Sequence, residues 1–376
     1  MIVQTFLRWA ENASVGEREK AAAALSSTFL TLSPAHDRYQ PALAALTHLL
    51  DDPAAGVRRT LAQTLAPAAH APRSLILALA EDLPDIACHI LTLSPVLTDR
   101  DLVDLVGRGS RVVRGLIAAR PRLGAGAAAA IAEIGAIGDI LLLLDNDTAC
   151  LTRYSLLRIA ARHAGHGQVR GKLLCRSDLP AEARERLVRH VGEALASNPF
   201  VSRLIDPVRL AHVTRQAADS ATLQLCDHAT EEDVARLAAH LAVDRRLTAT
   251  FLMQALVCGR IDLFAASITH LCGLSHGRVR AVMATGRSHG LRALYESAGL
   301  SRDISPLFVE ATLIWRHQAG RSGGQPITGM FDMLTETVER PADPNAPINE
   351  LLDLVEEMGH LDHRRRARAA ARSLAA

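Results

Sequence analysis

From Leu46 to Ala66 the chain reads LTHLLDDPAAGVRRTLAQTLA. An apolar run ends, an Asp-Asp-Pro turn follows, and Val57, Arg58, Leu61 and Leu65 recur at helical spacing. The pattern predicts the end of one helix, a turn, and a second amphipathic helix. The same register returns down the first half. Counting from Asp52, the position nine residues on is Leu61; from Asp82 it is Leu91, from Arg108 Ile117, from Asp147 Leu156 and from Asp178 Leu187. The position six residues on is Arg58, Cys88, Arg114, Arg153 and Arg184. Marker spacings of 30, 26, 39 and 31 residues fall in the range of paired-helix repeats. The long gap contains GAGAAAAIAEIGAIGDILLLLDND, enough for an extra helical segment.

Outside the repeat the pattern stays helical. Ser14-Val15-Gly16-Glu17 reads as a capping box, and Pro41 fits the start of the helix that runs to Leu50. Beyond about residue 200 the register is lost while helices continue. Asp206-Pro207 starts one, Thr230 to Asp233 resembles another capping box, and Arg246 to Cys258 is the most hydrophobic helix candidate of this half. Gly320 to Pro326 reads as a flexible break, followed by a short helix at FDMLTETVE and a linker marked by Pro341, Pro344 and Pro347. The expected organisation is repeats over 1–200, divergent repeats or a bundle over 201–320, a linker over 321–347, and an amphipathic basic helix over 348–376. That last helix carries Leu351, Leu352, Leu354 and Val355 and ends in His363-Arg364-Arg365-Arg366. It is expected to dock on its own repeats as a cap, to reach a partner or an acidic membrane surface, or to remain a mobile tail.

Helix, Asp turn and a second helix opening on Val-Arg is a combination that resembles the HEAT repeat family, best at Asp52-Val57-Arg58 and less closely at Asp147-Thr152-Arg153 and Asp178-Ala183-Arg184. The second half, with FLMQALVCGRIDLFAASITHLCGL and RALYESAGL, is similar to an uncharacterised bacterial family whose members carry HEAT-like repeats. The resemblance implies an all-α, irregular right-handed HEAT-like solenoid continued by a bundle or divergent repeats. It carries over no catalytic residue.

Composition agrees with helices. Hydrophobic residues make up 49% of the 376 but aromatics only 3%, so the core has to be built from Ala, Leu, Val and Ile. A formal charge of +2 implies no strong attraction to nucleic acid or membrane. Lys20 and Lys172 are the only lysines. So much arginine suits bidentate contact with carboxylate or phosphate; the bland alternative is the codon usage of a GC-rich genome. Six scattered cysteines without a C-x-x-C pair read as reduced core thiols. With no leader pattern and no long apolar run, the default expectation is a cytoplasmic protein.

Little chemistry is legible. His270, Cys272 and His276, or His163 and His166, do not supply the four convergent ligands of a structural zinc site, and no cofactor is implied. The nucleophile elbow, S-x-x-K and Walker A patterns are absent. What remains is the arginine series, Arg58, Arg59, Arg114, Arg153 and Arg184. Either these line one face and bind an acidic peptide, phosphate or nucleic acid, or each is tied to a turn Asp. The expected function is a non-enzymatic scaffold for an unidentified protein partner. The alternative is a nucleic-acid-binding or nucleic-acid-acting HEAT-like protein, disfavoured because bases stack on aromatic rings that are scarce here. Self-association through the hydrophobic 246–258 helix is a third reading.

Overall fold

The computed structural model of the protein describes residues 2–226, 229–322, 330–338, 340–343 and 346–375, and every regular element among them is helical. The chain divides into two compact units, Met1–Leu179 and Pro180–Ala376. No described helix is long and apolar enough to cross a membrane.

Unit 1 holds α1 (Ile2–Asn12), α2 (Val15–Phe29), α3 (Tyr39–Leu50), α4 (Ala55–Leu65), α5 (Arg73–Ala80), α6 (Pro84–Leu93), α7 (Asp99–Arg108), α8 (Arg111–Ala118), α9 (Ala125–Ile134), α10 (Ile137–Asp145), α11 (Arg153–His163) and α12 (Gly167–Leu174). Even-numbered helices pack in succession, α2 on α4 and so on to α10 on α12; in the other layer α1 packs on α3, α3 on α5, α7 on α9 and α9 on α11. This is what short amphipathic pairs require, because one pair cannot bury its own apolar stripe.

The five aliphatic positions of the register, Leu61, Leu91, Ile117, Leu156 and Leu187, are all at most 1% exposed. They do not share a layer. Leu61, Leu91 and Ile117 sit on α4, α6 and α8, whereas Leu156 sits on α11, among the odd-numbered helices. The long gap in the register contains two helices, α9 and α10, so the next marker falls one helix out of phase.

The start of α2 is capped as the sequence predicts. Ser14 and Glu17 form their reciprocal box, with Ser14 N–H donating to Glu17 Oε2 at 2.8 Å. The start of α9 has no cap of its own. Asp99, at the head of α7, instead accepts from Gly126 N–H at 2.8 Å and Ala127 N–H at 3.0 Å.

Unit 2 holds α13 (Ala181–Ala196), α14 (Pro199–Leu204), α15 (Pro207–Leu225), α16 (Glu231–Val243), α17 (Ala249–Val257), α18 (Ile261–Cys272), α19 (His276–Thr285), α20 (Ser288–Ser297), α21 (Ser305–Ser322), α22 (Met330–Thr337) and α23 (Pro347–Ala375). Every residue of α17 from Phe251 to Val257 is buried, and the helix packs on α18, α21 and α23. An all-round apolar helix belongs at the centre of its unit. The apolar surface of that helix is consumed inside its own core. Beside it the rings of Phe264, Tyr295 and Phe308 lie 5.8–6.2 Å apart. Tyr295 shares a 2.6 Å hydrogen bond with Thr312, and burial pushes its phenol up to about 12.

The C-terminal helix docks in cis. Leu351, Leu352, Leu354 and Val355 are buried, α23 lies on α17 and α22, and Arg340 clasps Asp353 at 2.7 Å and Glu356 at 2.8 Å. Leu361, Arg364 and Arg368 are exposed; the side chains of Arg365 and Arg366 lie outside the described residues. Helix α21 continues through Gly320 to Ser322, and the rest of the expected break, with Pro344 of the linker, lies outside the described residues.

The cysteines differ from expectation. None forms a disulfide, but none is fully buried either: Cys150, Cys175 and Cys258 are exposed and the other three are half-buried.

Candidate interaction surface

Arg58 is the fourth residue of α4. Its guanidinium donates to both oxygens of Asp82, at 2.7 and 3.0 Å, and to the backbone carbonyl of Asp52 at 2.6 Å. Arg18, fourth in α2, repeats the arrangement, reaching Asp52 at 2.7 and 3.1 Å and the Ala13 carbonyl at 2.7 Å. Asp52 thus takes one arginine on its carboxylate and the next on its carbonyl. Both pairs are at most 15% exposed. Burial works against the charge on Asp52 and Asp82, but the arginine hydrogen bonds, the backbone N–H groups of Ala54 and Leu83 and the arginine charges together outweigh it and hold both carboxyls below the usual range.

The rest of the series is looser. Arg59 reaches the exposed Asp85 at 3.4 Å. Arg114 lies 3.8 Å from the buried Asp139, and its Nε has no hydrogen-bond partner. Arg153 and Arg184 are half-buried and engaged in polar or charged contacts of their own. Arg58, Arg59 and Arg114 share a layer, Arg153 is in the other, and Arg184 belongs to unit 2.

Further arginines close the ends of helices. Arg162 donates to the carbonyls of Ala132 and Gly135 at 2.7 and 3.1 Å, and Arg316 to those of Met283 and Gly286 at 2.7 and 2.9 Å. Arg120 does the same at Leu91 and Ser94. Helix C-termini leave carbonyls unsatisfied and carry partial negative charge, and a guanidinium answers both.

A site that local spacing did not reveal lies in unit 2. Glu185, 1% exposed, accepts from Arg246 and lies 3.0 Å from His240 Nε2. Arg246 also binds Asp219, and Arg189 lies 3.1 Å from Asp244. Desolvation opposes the charge on Glu185, yet His240, Arg246 and Arg189 outweigh it and lower its pKa. For Asp219 desolvation prevails and its pKa is raised. One ligand atom each of Glu185, His240 and Asp244 lies within 4.8 Å of the others, a spacing a metal could use. The guanidinium groups of Arg246 and Arg189 already occupy those carboxylates and would repel a cation, so the cluster is a closed ion network. Its members are separated by 55 and 61 residues, beyond any local motif.

On neighbouring elements the surface turns apolar. Phe200 is 72% exposed, Leu204 69% and Val208 78%, with Leu195 and Val213 also in solvent. Arg203 and Arg209 stand exposed among them. The intervening acid, Asp206, spends its carboxylate accepting from Val208 and Arg209 N–H as the cap of α15.

Packed helices tied by buried ion pairs, with exposed apolar side chains on α14 and α15, define an all-α protein. Residues 86–342, more than half of the chain, match the family described as "Uncharacterised protein conserved in bacteria (DUF2336)", and the chain belongs to that family. No curated protein and no solved structure shows significant similarity to it.

Proposed function

We propose that the chain is a HEAT-like helical-repeat scaffold that binds a protein partner through the strip formed by α14 and the start of α15. The alternating packing of even and odd helices in unit 1 supports the repeat reading. The exposure of Phe200, Leu204 and Val208 carries the functional one: contiguous large apolar side chains left in water mark contact surfaces. With Arg203 and Arg209 beside them, the complement is an amphipathic helix whose apolar face is flanked by Asp or Glu. The nucleic-acid reading loses support because Arg58 is already held on three sides.

The test compares capture of host proteins by the intact chain and by a Phe200→Ser/Val208→Ser variant with an unchanged melting temperature. A partner retained by the first and lost by the second is the expected result, and its interaction should weaken when its acidic flank is neutralised. Identical capture by both forms, or tight binding of duplex DNA at physiological salt, sinks the proposal.

A further inference from the structure

Beside the ion network, unit 2 contains a cavity of about 560 Å3, within the range of about 300–1,000 Å3 typical of small-molecule sites. Its wall is drawn from α13, α15, the loop before α17, α17 itself and α23. Two exposed guanidinium groups line it, Arg215, whose charge acts on the buried Asp219, and Arg245. Arg245 adopts the left-handed backbone, φ +54°, because it ends α16 in a Schellman turn, its N–H donating to the Ala242 carbonyl and that of Arg246 to the Leu241 carbonyl.

The wall also contains unmet hydrogen-bonding capacity. Gln254 is 2% exposed, and its Oε1 has no partner; Gln216 Nε2 is buried and equally unpartnered. Such groups are expensive to leave unsatisfied in a folded protein. Thr248 caps α17, accepting from Phe251 N–H at 3.2 Å, and Thr250 follows in the first turn; both line the cavity. The partial positive charge of a helix N-terminus therefore adds to that of the two arginines.

The same wall holds carboxylates. Glu193, Asp219 and Glu350 face the cavity, and Asp219 is committed on one side to Arg246. Acceptors beside two exposed guanidinium groups call for a ligand that is an anion at one end and a hydrogen-bond donor along the rest. No Phe, Tyr or Trp lines the cavity, and His212 is its one ring, so the wall is built for polar contacts more than for stacking on a nucleobase. We propose that this cavity binds a small phosphorylated polyhydroxy compound of the sugar-phosphate class, its phosphate on Arg215 and Arg245 at the head of α17 and its hydroxyls on Gln216, Gln254 and the carboxylates. Guanidinium forks match phosphate oxygens in geometry as well as charge. The proposal does not rest on the partner-binding strip.

Calorimetric titration of the full chain with glucose 6-phosphate, ribose 5-phosphate, glycerol 3-phosphate, glucose, inorganic phosphate and AMP tests this. At least one of the three phosphorylated polyols should bind saturably, roughly tenfold or more tighter than glucose and than inorganic phosphate. Arg215→Met and Arg245→Gln should each weaken that binding about tenfold or more at an unchanged melting temperature, and Gln254→Glu should weaken it by placing a negative charge in the wall. No saturable binding by any of the three would overturn the proposal. So would equal affinity for inorganic phosphate, tighter binding of AMP, or indifference to both arginine substitutions.

Discussion

Arg58 shows how one side chain joins two turns: its forks close on Asp82 while its third donor holds the carbonyl of Asp52. At 15% exposure on each partner, the pair stands between surface pairs, worth about 0–1 kcal/mol, and buried ones, whose disruption costs about 3–5 kcal/mol. Arg58→Ala should therefore lower stability by about 1–2 kcal/mol, against less than about 0.5 kcal/mol for Arg59→Ala, whose partner is in water. Asp82 is held below its ordinary pKa, so its contribution is fully present above the unfolded value, about 3.9, and is lost as pH falls through the lowered folded value. Removing Arg58 removes much of that shift. The acid limb of chemical-denaturation stability between about pH 5 and 2 should be flatter in Arg58→Ala, and parallel acid limbs in the two proteins would contradict this. The Asp–Arg pairing was legible because both residues recur in register. Arg18 was overlooked although VGER repeats the spacing of AGVR. Arg120, Arg162 and Arg316 carry no local signal, since the carbonyls they satisfy are between 26 and 33 residues away.

Individual helices follow from local chemistry. The box at Ser14, the Thr230 cap that accepts from Asp233 N–H at 3.2 Å, and the Asp206-Pro207 start all give their boundaries from adjacent residues. The switch of layer at α9 and α10 does not, because periodicity tells that a face is buried and not which neighbour buries it. The cap of α9 illustrates the same limit. A Cβ on Gly126 would stand 2.4 Å from Asp99 Oδ2, so the carboxylate that caps this helix approaches only because glycine is there. Helix propensity alone predicts that Gly126→Ala stabilises by about 0.8–1 kcal/mol. Displacing Asp99 forfeits two charge-assisted bonds at an N-terminus, where losing a cap costs about 0.5–2 kcal/mol. Gly126→Ala should accordingly be neutral to destabilising, whereas in an Asp99→Ala background the same change should stabilise. Equal effects in both backgrounds, measured by denaturant unfolding, would remove Asp99 from the role of cap.

Unit 1 and unit 2 each bury a core of their own, and the chain places one tryptophan in each: Trp9 on α1, in ring contact with Phe6 at 5.6 Å, and Trp315 on α21, packed against the core of unit 2. The register of turn markers runs on to Asp178 and Leu187, so a count of repeats passes smoothly over the division at Leu179. Packing sets it there: α13 leans on α15 and α16, and Glu185 is fixed by His240 and Arg246. Sequence periodicity could not carry that information, because the partners of α13 lie far along the chain. The division predicts separable unfolding. Trp315→Phe leaves Trp9 to report unit 1, and Trp9→Phe leaves Trp315 to report unit 2. Leu61→Ala, which opens the core of unit 1, should move the Trp9 transition by about 2–5 kcal/mol and leave the Trp315 transition in place. Leu352→Ala, which loosens the docking of α23, should do the reverse. If both substitutions move both transitions together, the chain folds as one cooperative body, and the exposed strip and the cavity of unit 2 would then depend on the stability of the whole molecule.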